Sequence, residues 1–350
     1  MNHFLKISGR SIGPGHPCYI VAELSANHGQ SFDEAVKIIE AAKDSGADAV
    51  KIQTYTPDTI TINCDNQYFR IKKGSIWENR TLYDLYSEAQ TPWEWQPRLK
   101  KIADSLGLDL FSTPFDASAV DFLEAMDVPA YKIASFEIVD LPLIRKIAET
   151  GKPVILSTGM ANLAEIDEAV GFIRSTGNDH LALLKCTSAY PALPEDMNLA
   201  TIPHMAEAFD LIVGLSDHTL DIAVPVAAVT LGASIIEKHL TLSRAIPGPD
   251  SAFSLEPHEL NAMVKAVRTT EKAIGKIHYG ISKTEEVNRI YRKSLFAVQD
   301  IEANDIFTAK NMSSIRPGYG LHPRYFYEVM GKQAKQNIKR GTPLSWDLVK

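Results

Sequence analysis

The chain has 350 residues, 45% of them hydrophobic, 23% charged and 8% aromatic, and a formal net charge of −7. That composition excludes a disordered or collagen-like chain, and the acidic excess argues against a nucleic-acid partner. Three scattered cysteines (Cys18, Cys64 and Cys186) with no CxxC argue against both a disulfide framework and a thiolate zinc cluster.

In chain order, the N-terminus MNHFLKISGRSIGPGHP lacks the apolar centre of a signal peptide. No stretch has the ~18 apolar residues of a membrane span, so the expected location is the cytoplasm. Short apolar runs with β-branched residues then recur as eight predicted strands: 18–24, 49–55, 108–114, 130–136, 153–159, 181–187, 211–217 and 234–240. They are mostly continuous rather than alternating, as strands covered on both faces are. Helical patterns separate them. Ser31-Phe-Asp-Glu34 reads as a capping box, with Gly46 just past the helix end. Asp140 can cap a helix that has Pro142 in its first turn and Gly151 beyond it. Asn162 precedes Leu163, Ile166, Val170 and Ile173 at helical spacing. Eight strand–helix units predict parallel strands and right-handed crossovers, which at this length means an α/β (β/α)8 TIM barrel. An open doubly wound sheet is the alternative, but AELSANHG is not its Gly-rich phosphate turn.

The interval 56–107 is too long for one crossover helix, and its aromatic residues, Trp77 among them, predict order. Residues 256–275 read as a closing helix and the charged 281–293 as a linker. From Ser294 the runs shorten and glycines multiply, with 8 Lys and Arg against 5 Asp and Glu. The expected organisation is a catalytic barrel over 1–280, a linker over 281–293 and a small β-rich domain over 294–350. That tail is marginal alone at its size and should dock on something.

Catalytic groups of such barrels sit at the C-terminal strand ends. There the sequence places, among others, Glu23, Lys51 and Gln53, Thr113, Lys132, Ser135 and Glu137, Ser157, Ser188, Ser216 and His218, and Glu237, Lys238 and His239. Strands covered on both faces cannot hide so many polar groups without a partner. Lys51 and Lys132 read as a pocket for a small polyanion, with hydroxyls completing it. Ion pairing with Glu23 or Glu137 and a Schiff-base role remain open for them. His218 and His239 close adjacent strands and can share one ion; imidazole with oxygen ligands suits Mn²⁺, Fe²⁺, Co²⁺ or Zn²⁺. Asp250 lies in a loop stiffened by prolines, a substrate-positioning place or a plain turn. His28 reads as a loop residue, and Cys186 as a small core residue with no base evident beside it.

The motifs AELSANH, VKIQTY, STPFD, YKIAS, ILSTGM, CTSAYP, GLSDHT, EKHLT and GPDSAFSLEP, in this order, resemble the sialic acid (N-acetylneuraminate) synthase family, the phosphoenolpyruvate-dependent nonulosonate synthases. The tail with RPGYG resembles that family's SAF (antifreeze-like) domain. Within the family, ELSANH and DSAFSLEP are closest to the pseudaminic acid branch, and Ser188 stands where the N-acetylneuraminate branch usually has Asn. The resemblance implies condensation of phosphoenolpyruvate with an acetamido sugar. It implies a divalent metal at His218 and His239, Mn²⁺ first with Mg²⁺ or Co²⁺ as alternatives. Lys51, Thr113, Lys132, Ser135, Ser157, Ser188 and Ser216 would hold phosphoenolpyruvate, with Glu23 catalytic beside the metal. Gln53, Glu137, Tyr190 and Asp250 would face the sugar. Arg316 would come from a partner subunit, in a domain-swapped homodimer with no nucleic acid or membrane partner.

Overall fold

The computed structural model describes residues 4–72, 74 and 76–350. The chain divides into two compact units, Met1–Gly275 and Lys276–Lys350.

The first unit opens with a hairpin, β1 (Leu5–Ile7) against β2 (Arg10–Ile12). Eight parallel strands follow: β3 (Tyr19–Glu23), β4 (Ala49–Thr54), β5 (Asp109–Pro114), β6 (Tyr131–Ile133), β7 (Val154–Ser157), β8 (Leu181–Cys186), β9 (Ile212–Asp217) and β10 (Ile235–His239). They close in sequence order, β10 pairing with β3. The predicted TIM barrel is therefore the observed one, each strand lying inside its predicted run.

The outer ring is α1 (Phe32–Ser45), the interposed α2 (Pro57–Ile60) and α3 (Leu82–Ala89), then α4 (Gln96–Ser105), α5 (Ala117–Ala125), α6 (Leu141–Ala148), α7 (Leu163–Ser175), α8 (Thr201–Phe209), α9 (Ala223–Thr230) and α10 (Pro257–Ile274). Local chemistry sets their starts. Asp140 accepts from the Leu143 N–H at α6. Asn162 accepts from the Ala164 and Glu165 N–H groups at α7, and Glu165 returns a carboxylate to the Asn162 N–H. At α1 only half of the expected capping box forms: Ser31 accepts from Glu34 N, but the Glu34 carboxylate turns to Lys37 and the Ser31 N–H donates to His28 O. Gly46 ends α1 at φ 90°.

Two apolar layers hold the barrel. One lies between strands and helices, for example Ile20, Val50 and Leu156 against Ile39, Leu99 and Ile173. The other fills the lumen, where Leu5, Ile7 and Ile12 of the hairpin join Tyr19, Val21, Phe111, Ile155 and Ile235. The hairpin thus plugs the N-terminal end, which leaves the C-terminal end for chemistry. Gly214 lets β9 approach β10, since a Cβ there would lie 2.4 Å from the Ile235 carbonyl oxygen. Among the described residues no helix is long and apolar enough to cross a membrane.

The second unit pairs β11 (Ser294–Ala297) with β12 (Met312–Ile315) and adds α11 (Phe326–Val329). Leu295, Phe307, Met312, Val329 and Leu344 lie in its own core. Residues 286–291 form a 3-10 turn, and the Gly318 N–H donates to Ile290 O.

Candidate active site

Alternate strand residues face the lumen. The lumen core contains Val21, Ala49, Phe111, Ala130, Ile155, Leu184, Ile212 and Ile235. The same parity, continued toward the C-terminal ends, brings in Glu23, Lys51, Thr113, Lys132, Ser157, Cys186, Ser216 and Glu237, and then Gln53 and His239. A greasy floor thus carries a polar storey. The opposite parity sends Lys238 and Asp217 outward, where they pair at 2.6 Å, fully buried.

Two ammonium groups and two carboxylates meet in the polar storey. Lys51 Nζ lies 2.5 Å from Glu23 and 3.8 Å from Glu237, and Lys132 Nζ lies 3.6 Å from Glu237. The four side chains are at most 6% exposed. Burial opposes every charge here, so the balance depends on neighbours. Glu237 faces both lysines and the Ser216 hydroxyl; these overcome burial and hold its carboxyl below the usual range. Glu23 is pushed up to about 7 by burial, which Lys51 only partly offsets and the Glu237 charge reinforces. Lys51 stays protonated because Glu23 and Glu237 outweigh its burial. Lys132 is lowered by burial and by Lys51, against the pull of Glu237.

Hydroxyls surround these charges. Lys51 donates to Thr113 Oγ1 at 3.2 Å, and the Gly159 N–H donates to Ser135 Oγ at 3.0 Å. A Cβ on Gly159 would fall 2.7 Å from Ser135 Oγ and still closer to Ser188 Oγ, so only glycine leaves the space those hydroxyls share. Among the buried polar atoms that lack a hydrogen-bond partner in the described residues are Ser157 Oγ, Glu137 Oε2 and His239 Nδ1. Unpaired buried polar atoms are rare and call for a ligand. Burial pushes the Glu137 carboxyl up to about 7, against the pull of Lys132.

Above lies an aromatic storey. The His218 and His239 ring centroids are 5.3 Å apart, Tyr190 stacks 4.4 Å from His218, and Phe253 sits 4.9 Å from His239. The His218 Nδ1 donates to the Thr187 carbonyl at 2.9 Å; burial would lower this imidazole, but its hydrogen bond with Cys186 outweighs that and holds its pKa above the usual range. His239 is kept neutral by burial above all, and the ammonium groups of Lys51, Lys238 and Lys132 add to it. Gln53 donates to Glu23 at 3.4 Å and to Ser25 at 2.9 Å. Asp250 is buried, accepting from the Ser25 hydroxyl and the Ala26 N–H. It clasps the loop after β3 to the loop after β10.

Residues 38–279 match the NeuB family and residues 292–350 the SAF domain. The chain is 45% identical over 332 residues to a pseudaminic acid synthase of Helicobacter pylori, covering 95% of this chain and 97% of that one. It is 46% identical over 326 residues to a pseudaminic acid synthase of Campylobacter jejuni, covering 93% and 95%. The crystal structure of the spore coat polysaccharide biosynthesis protein SpsE of Bacillus subtilis aligns with a TM-score of 0.68 at 32% identity, covering 99% of both chains. The chain belongs to the NeuB family.

In this NeuB family member the barrel gathers fourteen of the fifteen expected site residues at or next to the C-terminal strand ends. Arg316 lies in the second unit, exposed. Three groups were given no part in the site by the sequence reading. Glu237, the shared counter-ion of both lysines, is signalled by its parity, two residues before His239 on β10. Ser25, bridging Gln53 and Asp250, carries no pattern. Cys186 does have a base beside it: burial would raise its thiol, but the His218 imidazole overrules this and brings it down to about 7. His28 is a buried core histidine, bonded to Thr91 and the Gln30 N–H, and burial lowers it to about 4.

Proposed function

We propose that the protein condenses phosphoenolpyruvate with 2,4-diacetamido-2,4,6-trideoxy-altrose, giving pseudaminic acid and inorganic phosphate. The observation that carries this is the pairing of two buried ammonium groups with unpartnered polar atoms beneath two imidazoles, in a family member so similar to pseudaminic acid synthases.

Lys51 and Lys132 take the phosphate and carboxylate of phosphoenolpyruvate, displacing part of their internal ion pairing. Thr113, Ser135, Ser157, Ser188, Ser216 and the Gly159 N–H complete the anion cradle. Gln53, Glu137, Tyr190 and Asp250 face the sugar and orient its aldehyde over the enol carbon. The enol π pair forms the new carbon–carbon bond, the aldehyde oxygen takes a proton from solvent, and water adds at the former enol phosphate carbon. Glu23, whose carboxyl titrates near neutrality, accepts the proton of that water. The carbon–oxygen bond to phosphate then breaks as the new hydroxyl passes its proton to the departing phosphate, leaving the keto group. Lys51 is held protonated, the wrong state for imine formation, which disfavours a Schiff-base aldolase.

The family implies a divalent metal. The unpartnered Nδ1 of the neutral His239, with the His218 ring 5.3 Å away, fits one. Among the described residues no group of three or more His, Cys, Asp and Glu gathers around one point, so water and substrate would complete the shell. Bound there, a metal supplies Lewis acidity toward the aldehyde oxygen; Mn²⁺ is our choice, with Mg²⁺ or Co²⁺ as alternatives. We further place the enzyme in the cytoplasm as a domain-swapped homodimer, with Arg316 of the partner subunit reaching the sugar.

The test is phosphate release and product mass with phosphoenolpyruvate, Mn²⁺ and a panel of acetamido sugars. Activity lost to a chelator and regained with Mn²⁺ is expected. Turnover surviving exhaustive chelation removes the metal, and a preference for N-acetylmannosamine overturns the sugar assignment.

A further inference from the structure

The 56–107 interval brings Trp77 to the site. The Trp77 ring lies 5.6 Å from Tyr190 and 6.4 Å from Phe253, the two rings that flank His218 and His239. Its indole N–H donates to the Pro249 carbonyl at 2.7 Å, pinning it to the loop that also carries Asp250 and Phe253. Phe253 is 1% exposed and already packed, whereas Trp77 keeps part of its surface open.

We infer that Trp77 is a specificity-determining residue, forming with Tyr190 and Phe253 an apolar wall for the deoxygenated far end of the sugar. The inference rests on the reaction proposed above and deepens it. With the aldehyde end at the histidines, the far end of a six-carbon chain points outward, and Trp77 is one ring further out than Tyr190. A tryptophan offers one hydrogen-bond donor, and here Pro249 has taken it. The indole therefore meets the substrate with carbon alone. A methyl group gains from that face, while a hydroxyl there loses its water without receiving a partner. An apolar wall discriminates modestly, by roughly tenfold to a few hundredfold.

The experiment compares the 2,4-diacetamido-2,4,6-trideoxy sugar with its counterpart bearing a hydroxyl on C6, in wild type, Trp77→Ala and Trp77→Phe. Trp77→Ala is expected to lower kcat/KM for the deoxy sugar about 30-fold, mainly through KM, and for the hydroxyl sugar less than about threefold, with KM for phosphoenolpyruvate unchanged. Trp77→Phe keeps a ring and should fall between. Equal losses with both sugars, or a rise in the phosphoenolpyruvate KM, would mean that Trp77 merely props its neighbours and overturn the inference. Should Trp77→Ala not fold, the Phe variant decides by the same ratio. Equilibrium binding separates this inference from the proposed reaction. The deoxy sugar should perturb the tryptophan fluorescence of wild type but not of Trp77→Phe, which retains Trp93, Trp95 and Trp346. That result without any phosphate release would refute the reaction and leave the wall standing; an equal response in both proteins would refute the wall.

Discussion

Glu237 is the residue on which the polar storey turns. It offsets two ammonium groups that would otherwise repel across a dry lumen. Removing one partner of a buried ionic cluster leaves uncompensated charge and costs about 3–5 kcal/mol. Glu237→Gln should therefore lower stability by about 3 kcal/mol without ligand, and added phosphoenolpyruvate should stabilise the variant more than wild type, because an anion can occupy the vacated place. Unfolding with and without phosphoenolpyruvate checks this; equal stabilisation of both proteins would mean that the lysines do not hold the ligand. The sequence displayed both lysines because a charge inside an apolar run stands out. It offered Glu23 as a partner, and Lys51 does pair with it, but it gave Glu237 no such role, because Glu237 sits among Lys238 and His239 and only lumen parity tells it from its neighbours. The Cys186–His218 contact joins adjacent strands and has no local signal at all.

At the level of elements, caps and periodicity fixed most of what could be read. Asn162 at α7 illustrates it: one side chain accepts two N–H groups, and Glu165 completes the box. Asn162→Ala should cost about 1 kcal/mol, read as a lower urea midpoint at unchanged slope, with the phosphoenolpyruvate KM unaffected. A shifted KM would show instead that α7 positions Gly159. The strands were legible because strands covered on both faces are apolar throughout, and the barrel followed from their number and order. The N-terminal hairpin was not. Leu5–Ile7 and Arg10–Ile12 are three residues each, too short for periodicity, and only the apolar lumen floor explains why they fold there. Likewise the sequence marked 56–107 as ordered, yet nothing local says that Trp77 rather than Trp93 or Trp95 reaches the histidines.

For the whole molecule, the proposed exchange of second units makes a prediction that no single chain can satisfy. A Lys132→Met chain has a disabled barrel and a sound tail, and an Arg316→Ala chain the reverse. Co-expressed, random pairing of a two-fold assembly should restore about a quarter of wild-type activity; activity no greater than the sum of the two variants alone would rule out a shared site. The plugged base of the barrel carries a consequence of its own. With its floor filled by the hairpin, the lumen is left to open at the C-terminal end. The lysines lie deeper than the aromatic rings, so on the proposed binding mode the three-carbon phosphate ester enters before the sugar stoppers the passage, and orthophosphate departs after the nine-carbon product has cleared the threshold.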